Sequence, residues 1–401
     1  MKILILGADG YLGHSLMLYL AARGHEVFGV DNFMRRSWVK TMNSISALPI
    51  ADHPHRMSAF HSKFEYTPYF WTIDVGEYDQ MCHVLEMVQP DAIVHFAECP
   101  SAPYSMIDAN KAMFVMRNNV IGTMSLIYAM KEKSPHSHLI KLGTMGEYGT
   151  PNIDIPEGFF DIEYRGRQDM LPFPKQAGSW YHWSKVHDSN NIMWACKVWG
   201  LRSTDIMQGV VYGTRIPEMM SERGDYVIPV LRTRLDFDES FGTAINRFVC
   251  QAVIGHPLTI FGDIGKQTRG FLPLVDSMQC LTLAIENPAD EGEYRVFNQF
   301  EETYSVLGLA QTVRRVASDF GIDAEIKHLE TPRSEAQEHY YNPDHEHLLN
   351  LGYKPTRDME SVLTEMFIDL LEYQAEIKEY KDVLIPHIFW SGEERTAEWL
   401  K

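Results

Sequence analysis

The chain opens with KILIL (2–6), an unbroken apolar run, followed at once by GADGYLG (7–13), with glycines at 7, 10 and 13. An amphipathic stretch runs to about Arg23, and a second apolar run, EVFGVD (26–31), ends in an acid. Apolar runs without polar alternation suit strands buried on both faces, as in parallel sheets covered by helices. Each glycine then has its own task. Gly7 permits a tight turn out of the strand, Gly10 lets the backbone approach a pyrophosphate at the helix N-terminus, and Gly13 lets helix and strand pack closely. Strand, glycine loop, helix, strand and terminal acid, in that order, make a dinucleotide-binding fingerprint. Asp31 is placed to accept hydrogen bonds from the adenosine ribose and to repel a 2′-phosphate, favouring NAD over NADP. Arg35 and Arg36, just beyond it, are of the type that can accept that phosphate.

The alternation continues. YFWTID (69–74), AIVHFAE (92–98), SHLIKLG (137–143) and RSTDIMQGVVYG (202–213) read as strands, and helical patterns cover about 77–88, 105–131 and 179–200. This is the pattern of a Rossmann-type doubly wound parallel α/β sheet. Residues 32–70 show no period and carry Pro49, Pro54 and Pro68, so they read as a long insertion. After about 213 the pattern becomes irregular, with short strands at 257–262 and 294–298 and helices at 241–253, 275–286, 305–320 and 358–379. The expected division is an NAD-binding domain over 1–213 and a smaller, mixed α/β substrate domain over 214–401. Segments 241–253 and 294–298 are expected to return to the first.

A net charge of −18 disfavours a nucleic-acid partner and requires any anionic substrate to be held by local cations. Five scattered cysteines without a CxxC pair fit reduced thiols, and no apolar run reaches membrane-spanning length. The opening strand has no basic leader before it, so a cytoplasmic setting is expected. His53, His55 and His61 complete no ligand spacing, and no metal is expected. Cys99 reads as a packed thiol.

YHWSK (181–185) lies on a predicted helix, so Tyr181 and Lys185 share a face. A tyrosine ordinarily titrates near 10. A neighbouring ammonium and a nicotinamide cation both favour its phenolate, a usable base for a hydroxyl proton. With the glycine loop and Thr144, the pair resembles the extended short-chain dehydrogenases/reductases, in which a Thr or Ser, a Tyr and a Lys act together on a sugar nucleotide. Sugar-nucleotide 4,6-dehydratases of that superfamily follow their threonine with Asp-Glu; this chain has Met145 and Gly146.

Longer segments narrow the resemblance. SAPYSMID (101–108), GTMGEYGTPNID (143–154), PKQAGSWYHWSKVHDS (174–189), FGTAINRF (241–248), QTRGFL (267–272) and PRSEAQEHYYN (332–342) are similar to the UDP-sulfoquinovose synthase family. That family makes the sulfolipid head-group donor from UDP-glucose and sulfite, recycling NAD through a 4-keto-5,6-ene sugar. The resemblance implies that Thr144 and Tyr181 share the substrate hydroxyl and that Lys185 also binds the nicotinamide ribose. Glu147 and His182 remain alternatives for elimination and reprotonation, and His182 could instead attract sulfite. Met145 is expected to leave space for the incoming anion. Further cofactor contacts are implied from Asp9, Tyr11, Leu12, Asn32, Arg35, Arg36, Arg56, Asp74, Val75, Asn118, Gln208 and Val211. Substrate contacts are implied from Gln176, Thr243, Arg247, Arg269, Arg333 and a uridine-binding strand at Pro257, Leu258 and Thr259. Pro100 stands where plant-type members carry an arginine. Helices around 105–131 and 179–199 resemble those of a four-helix dimer interface, implying a homodimer. A UDP-hexose 4-epimerase or dehydratase is the alternative enzyme. A non-catalytic NAD-binding regulator would be expected to lack Tyr181 or Lys185.

Overall fold

Strand Lys2–Leu6 turns Ile3 and Ile5 to one face of a sheet and Leu4 and Leu6 to the other, and all four are wholly buried. Burying such side chains stabilises the fold by about 1.5–3 kcal/mol each. The computed structural model describes residues 1–262, 264–333 and 338–390. Seven parallel strands lie in the order Tyr294–Gln299, Arg202–Gln208, His138–Thr144, Ala92–His95, Lys2–Leu6, Glu26–Val30 and Phe70–Trp71. Helices Tyr11–Ala21 and Leu274–Glu286 cover the Ile3 face. Helices Tyr78–Val88, Gly122–Lys133 and Trp180–Trp199 cover the Leu4 face. Sequence order runs outward on both sides from the junction of Lys2–Leu6 and Ala92–His95. That junction is the topological switch point, where open α/β sheets bind ligands.

A second apolar core gathers helices Ala244–Val253, Val306–Asp319 and Met359–Leu371 around strand Leu258–Phe261. Small sheets complete this half: Thr268–Pro273 between Glu302–Ser305 and Val210–Tyr212, and Leu258–Phe261 beside Ile326–Leu329. Strand Tyr294–Gln299 is an edge of the large sheet. The 241–253 segment does not return there. Its helix begins at Ala244, capped by Thr243, and its buried residues pack into the second core.

Other expectations are corrected as well. The 32–70 stretch is not without structure but holds helices Met34–Thr41 and His53–Phe64. Only Trp38 and Val39 are buried in the first, and Arg56 and Phe60 in the second, so no apolar stripe marks them. Asp52 caps the second helix by accepting from the His55 N–H, with a proline in its first turn. The 105–131 pattern is broken into Ala109–Met116, a π-helical turn at Arg117–Ile121, and Gly122–Lys133. The 69–74 strand shortens to Phe70–Trp71. A hairpin, Phe159–Tyr164 with Arg167–Pro172, went unread because its second strand is exposed throughout and shows no alternation. Residues 334–337 of the 332–342 segment and 391–401 of the expected second domain lie outside the described residues.

Candidate active site

A cavity of about 410 Å³ lies along the carboxyl ends of the large sheet. Gly7, Gly10, Tyr11, Leu12, Gly13, Asp31 and Asn32 wall it beside strands Lys2–Leu6 and Glu26–Val30. Thr144, Tyr181, His182 and Gln208 wall it beside strands His138–Thr144 and Arg202–Gln208. Arg35, Asp74, Val75, Asn118, Val211 and Thr243 also face it.

The glycine loop fits a dinucleotide. Gly7 has φ +86°, and a Cβ at Gly13 would lie 2.1 Å from the Gly7 carbonyl oxygen. Gly10 is the N-cap of Tyr11–Ala21, and no side chain caps that helix, so its first N–H groups are left to a ligand. The Asp31 carboxylate accepts from the N–H groups of Asp9 (2.9 Å) and Phe33 (2.6 Å). Burial, and Asp9 beside it, push it up to about 6. Asn32 donates to Asp74 (3.0 Å), and Tyr11 donates to the Gly213 carbonyl (2.7 Å).

Asp9, Arg36 and Arg56 do not face the cavity. Arg36 forks onto the Asp9 carboxylate (2.6 and 2.7 Å), and the buried Arg56 reaches the same carboxylate (3.0 Å) and the Arg232 carbonyl (2.9 Å). They brace the glycine loop from the two insertion helices. Arg35 faces the cavity but forks onto Asp236 (3.0 and 2.6 Å). Both arginines that could have met a 2′-phosphate are thus engaged by carboxylates.

At the other end, Thr144 closes its strand and caps a short 3-10 turn, Met145–Glu147. Its Oγ1 accepts from the Gly146 N–H (3.2 Å), while Glu147 accepts from the Thr144 N–H (3.2 Å), a capping box. Glu147 does not reach the cavity. Its oxygens accept from Lys141 (3.0 Å), Lys175 (2.5 Å) and Ser189 (2.9 Å), and its side chain is fully buried. Burial alone would raise it, but the ammoniums of Lys141 and Lys175 outweigh that and bring it to about 2. Enclosed by these donors, it ties the turn to strand His138–Thr144 through the Thr144 N–H.

His182 does face the cavity, with Nδ1 at 3.0 Å from Ser179 Oγ, the N-cap of Trp180–Trp199. A Cβ at Gly146 would lie 2.4 Å from His182 Nε2, so the ring fills the place where dehydratases carry a side chain. Met145 leaves no opening; it packs with Tyr148, Ile155, Phe173 and Met207. Burial, then Glu98, hold the Tyr181 hydroxyl well above its ordinary value. Lys185 stands behind the wall, paired with Glu98 (2.6 Å) and donating to the Leu142 carbonyl (2.6 Å). Cys99 is fully buried, and burial pushes its thiol up to about 12.

Several expected substrate contacts lie off this cavity. Gln176 donates its backbone N–H to the Glu147 carbonyl (3.1 Å). The N–H of Leu258 is bonded to the Glu325 carbonyl (2.7 Å) and that of Thr259 to Gln251 (3.0 Å), so strand Pro257–Thr259 offers neither to uridine. Arg247 donates to the Thr259 carbonyl (3.3 Å), and burial lowers it to about 10. Arg269 donates to the Thr268 carbonyl (2.9 Å) and lies 2.7 Å from His339 Nδ1. The Arg333 guanidinium stacks 4.8 Å over Trp390. Wall residues not read from the sequence include Trp38, Glu98, Arg234 and Asp236. Glu98 had a signal: like Asp31, it ends an apolar run read as a parallel strand.

The profile of the NAD dependent epimerase/dehydratase family matches residues 3–298. A UDP-sulfoquinovose synthase of Sulfolobus acidocaldarius is 44% identical over 97% of this chain and 98% of its own. The chloroplastic UDP-sulfoquinovose synthase of Spinacia oleracea is 44% identical over 97% of this chain and 79% of its own. Among solved structures, a UDP-glucuronic acid 4-epimerase from Bacillus cereus, in complex with UDP-glucuronic acid and NAD, shares the fold. It has a TM-score of 0.67 and 22% identity, covering 93% of this chain and 99% of that one. The chain belongs to the NAD-dependent epimerase/dehydratase family and, within it, to the UDP-sulfoquinovose synthases.

Proposed function

We propose that the chain converts UDP-glucose and sulfite to UDP-6-sulfoquinovose and water. The observation that carries this reading is the cavity wall shared by Thr144, Tyr181 and His182, at the end away from Asp31. The glycine loop, Asp31, Asn118 and Gln208 hold the cofactor. Bound there, NAD would supply reversible hydride transfer at carbon 4 of the sugar.

Thr144 and Tyr181 share the 4-hydroxyl, and Tyr181 accepts its proton. Lys185 favours the phenolate through its charge. The resulting 4-ketone acidifies the carbon 5 proton. His182 takes that proton, and the departing 6-hydroxide takes another from solution, leaving a 4-keto-5,6-ene. Sulfite adds at carbon 6, His182 returns the proton to carbon 5, and Tyr181 returns its own to the oxygen on carbon 4. Arg35 and Arg234 are the arginines of this wall, and both are paired with Asp236. Arg247, Arg269 and Arg333 are the cations of the second half whose guanidinium forks suit the UDP diphosphate.

All five cysteines are free and buried, which suits a reducing, cytoplasmic setting. No described helix is long and apolar enough to cross a membrane. Met113, Ile121, Tyr128, Trp194 and Val198 are exposed along Ala109–Met116, Arg117–Ile121, Gly122–Lys133 and Trp180–Trp199, an apolar face suited to a homodimer.

Incubation with UDP-glucose, with and without sulfite, read by mass spectrometry, tests the function. UDP-sulfoquinovose should form only with sulfite. UDP-galactose, or a 4-keto-6-deoxy sugar as the main product with sulfite present, would overturn it.

A further inference from the structure

Behind Tyr181 lies a carboxylate with no assigned role. Glu98 follows strand Ala92–His95; its side chain is 1% exposed, yet it borders the cavity. One oxygen lies 2.6 Å from Lys185 Nζ. Neither oxygen has a geometrically formed hydrogen bond among the described residues, and His95 Nε2 lies 3.8 Å from the second. Lys185 is therefore held at two points, by Glu98 and by the Leu142 carbonyl. We propose that Glu98 is a positioning residue for proton transfer: it fixes the Lys185 ammonium and offsets its charge, and so sets how readily Tyr181 releases and recovers a proton.

The neighbours leave this pair to decide. Around Lys185, burial lowers His95 to about 4, so it is neutral at neutral pH. Burial, then Glu98, push Asp188 well above the carboxylate range, and neither of its oxygens has a hydrogen-bond partner. It too is neutral. Lys141 is matched by Glu147 and Asp205. Around Tyr181, Glu147 is matched by Lys141 and Lys175, Arg35 by Asp236, and Cys99 is an unionised thiol. The His182 ring lies 5.1 Å from the tyrosine ring and borders the cavity. Glu98 and Lys185 are matched to each other.

The proposed reaction, on which this inference rests, gives the pair a purpose. A net dehydrogenase needs a tyrosine that loses its proton. Here the tyrosine must take the 4-hydroxyl proton and later return it to the same oxygen. A lone ammonium beside a cationic cofactor would make it a lasting phenolate and a poor acid. A buried counter-charge brings its two roles into balance.

The test is titration of Tyr181 by its phenolate absorbance in protein as purified, each variant measured against the same variant carrying Tyr181→Phe. In Glu98→Gln, Tyr181 should titrate lower by about one pH unit or more. The acid limb of NAD reduction by UDP-glucose should move the same way. Glu98→Asp, which keeps the charge, should restore the wild-type position. Adding Lys185→Met to Glu98→Gln should cancel the shift. An unmoved Tyr181 in folded Glu98→Gln would overturn the proposal. So would loss of carbon 5 proton exchange without a titration shift, which would make Glu98 a direct base. If Glu98→Gln alone does not fold, Lys185→Met and the double variant still decide, since Tyr181 must titrate lower in the double. The titration needs neither UDP-glucose nor sulfite, so failure to form UDP-sulfoquinovose would leave it readable.

Discussion

Tyr181 and Glu147 were both read as reacting groups, and their surroundings separate them. Tyr181 faces the cavity; Tyr181→Phe keeps the ring and removes the proton carrier, so turnover should fall by about two to four orders of magnitude while UDP-glucose binding persists. Steady-state rates and equilibrium binding check this. Glu147 is enclosed by Lys141, Lys175 and Ser189, and Glu147→Gln breaks a buried ion cluster, costing about 3–5 kcal/mol. It should lower the urea midpoint rather than stall the cycle at carbon 5. The selective stall, with bound NADH accumulating and carbon 5 exchange slowed, should appear in His182→Gln. The Glu147 carboxylate sits below its ordinary 4.5, at about 2, so it binds fewer protons folded than unfolded. Its stabilisation is present above about 4.5 and is lost as pH falls toward 2. Urea midpoints measured across that window should fall with pH in the wild type and less so in Glu147→Gln.

Elements set where these residues can stand. Helix Tyr11–Ala21 approaches strand Lys2–Leu6 so closely that Gly13→Ala would drive a Cβ to 2.1 Å from the Gly7 carbonyl oxygen, backbone that cannot yield cheaply. That variant should purify with little bound NAD and a lower unfolding temperature, checked by nucleotide release on denaturation and by calorimetry. The two insertion helices brace the same loop through Arg36 and Arg56 on Asp9, so an unpatterned stretch acts as its support. At the other end, the π-helical turn Arg117–Ile121 brings Asn118 to the cavity and lets Asn119 bind the Cys99 N–H and Ser184, tying that turn to helix Trp180–Trp199. Such turns recur at functional sites because they redirect side chains within a continuous helix.

For the whole molecule, the exposed face of Trp194 and Val198 beside Ile121 and Tyr128 is the surface a second copy would cover. Light scattering should give twice the chain mass for the wild type, and Trp194→Glu should shift it toward one chain while circular dichroism is unchanged. A dimer that persists in Trp194→Glu together with Ile121→Glu would place the contact elsewhere.

The sequence by itself determined the parallel sheet, the glycine loop that opens its first helix, and the helix that carries Tyr181 and Lys185. These rest on local rules: apolar runs, turn glycines and helical spacing act within a few residues, so composition and order reveal them. Only the tertiary structure decided that Lys141 and Lys175 enclose Glu147, that Arg36 and Arg56 meet Asp9, and that helix Ala244–Val253 joins the second core. It also brought Glu98 against Lys185 across 87 positions of chain, and no periodicity records such a meeting. A charged residue's role depends on which opposite charge burial brings to it, and that partner is set by packing between distant elements.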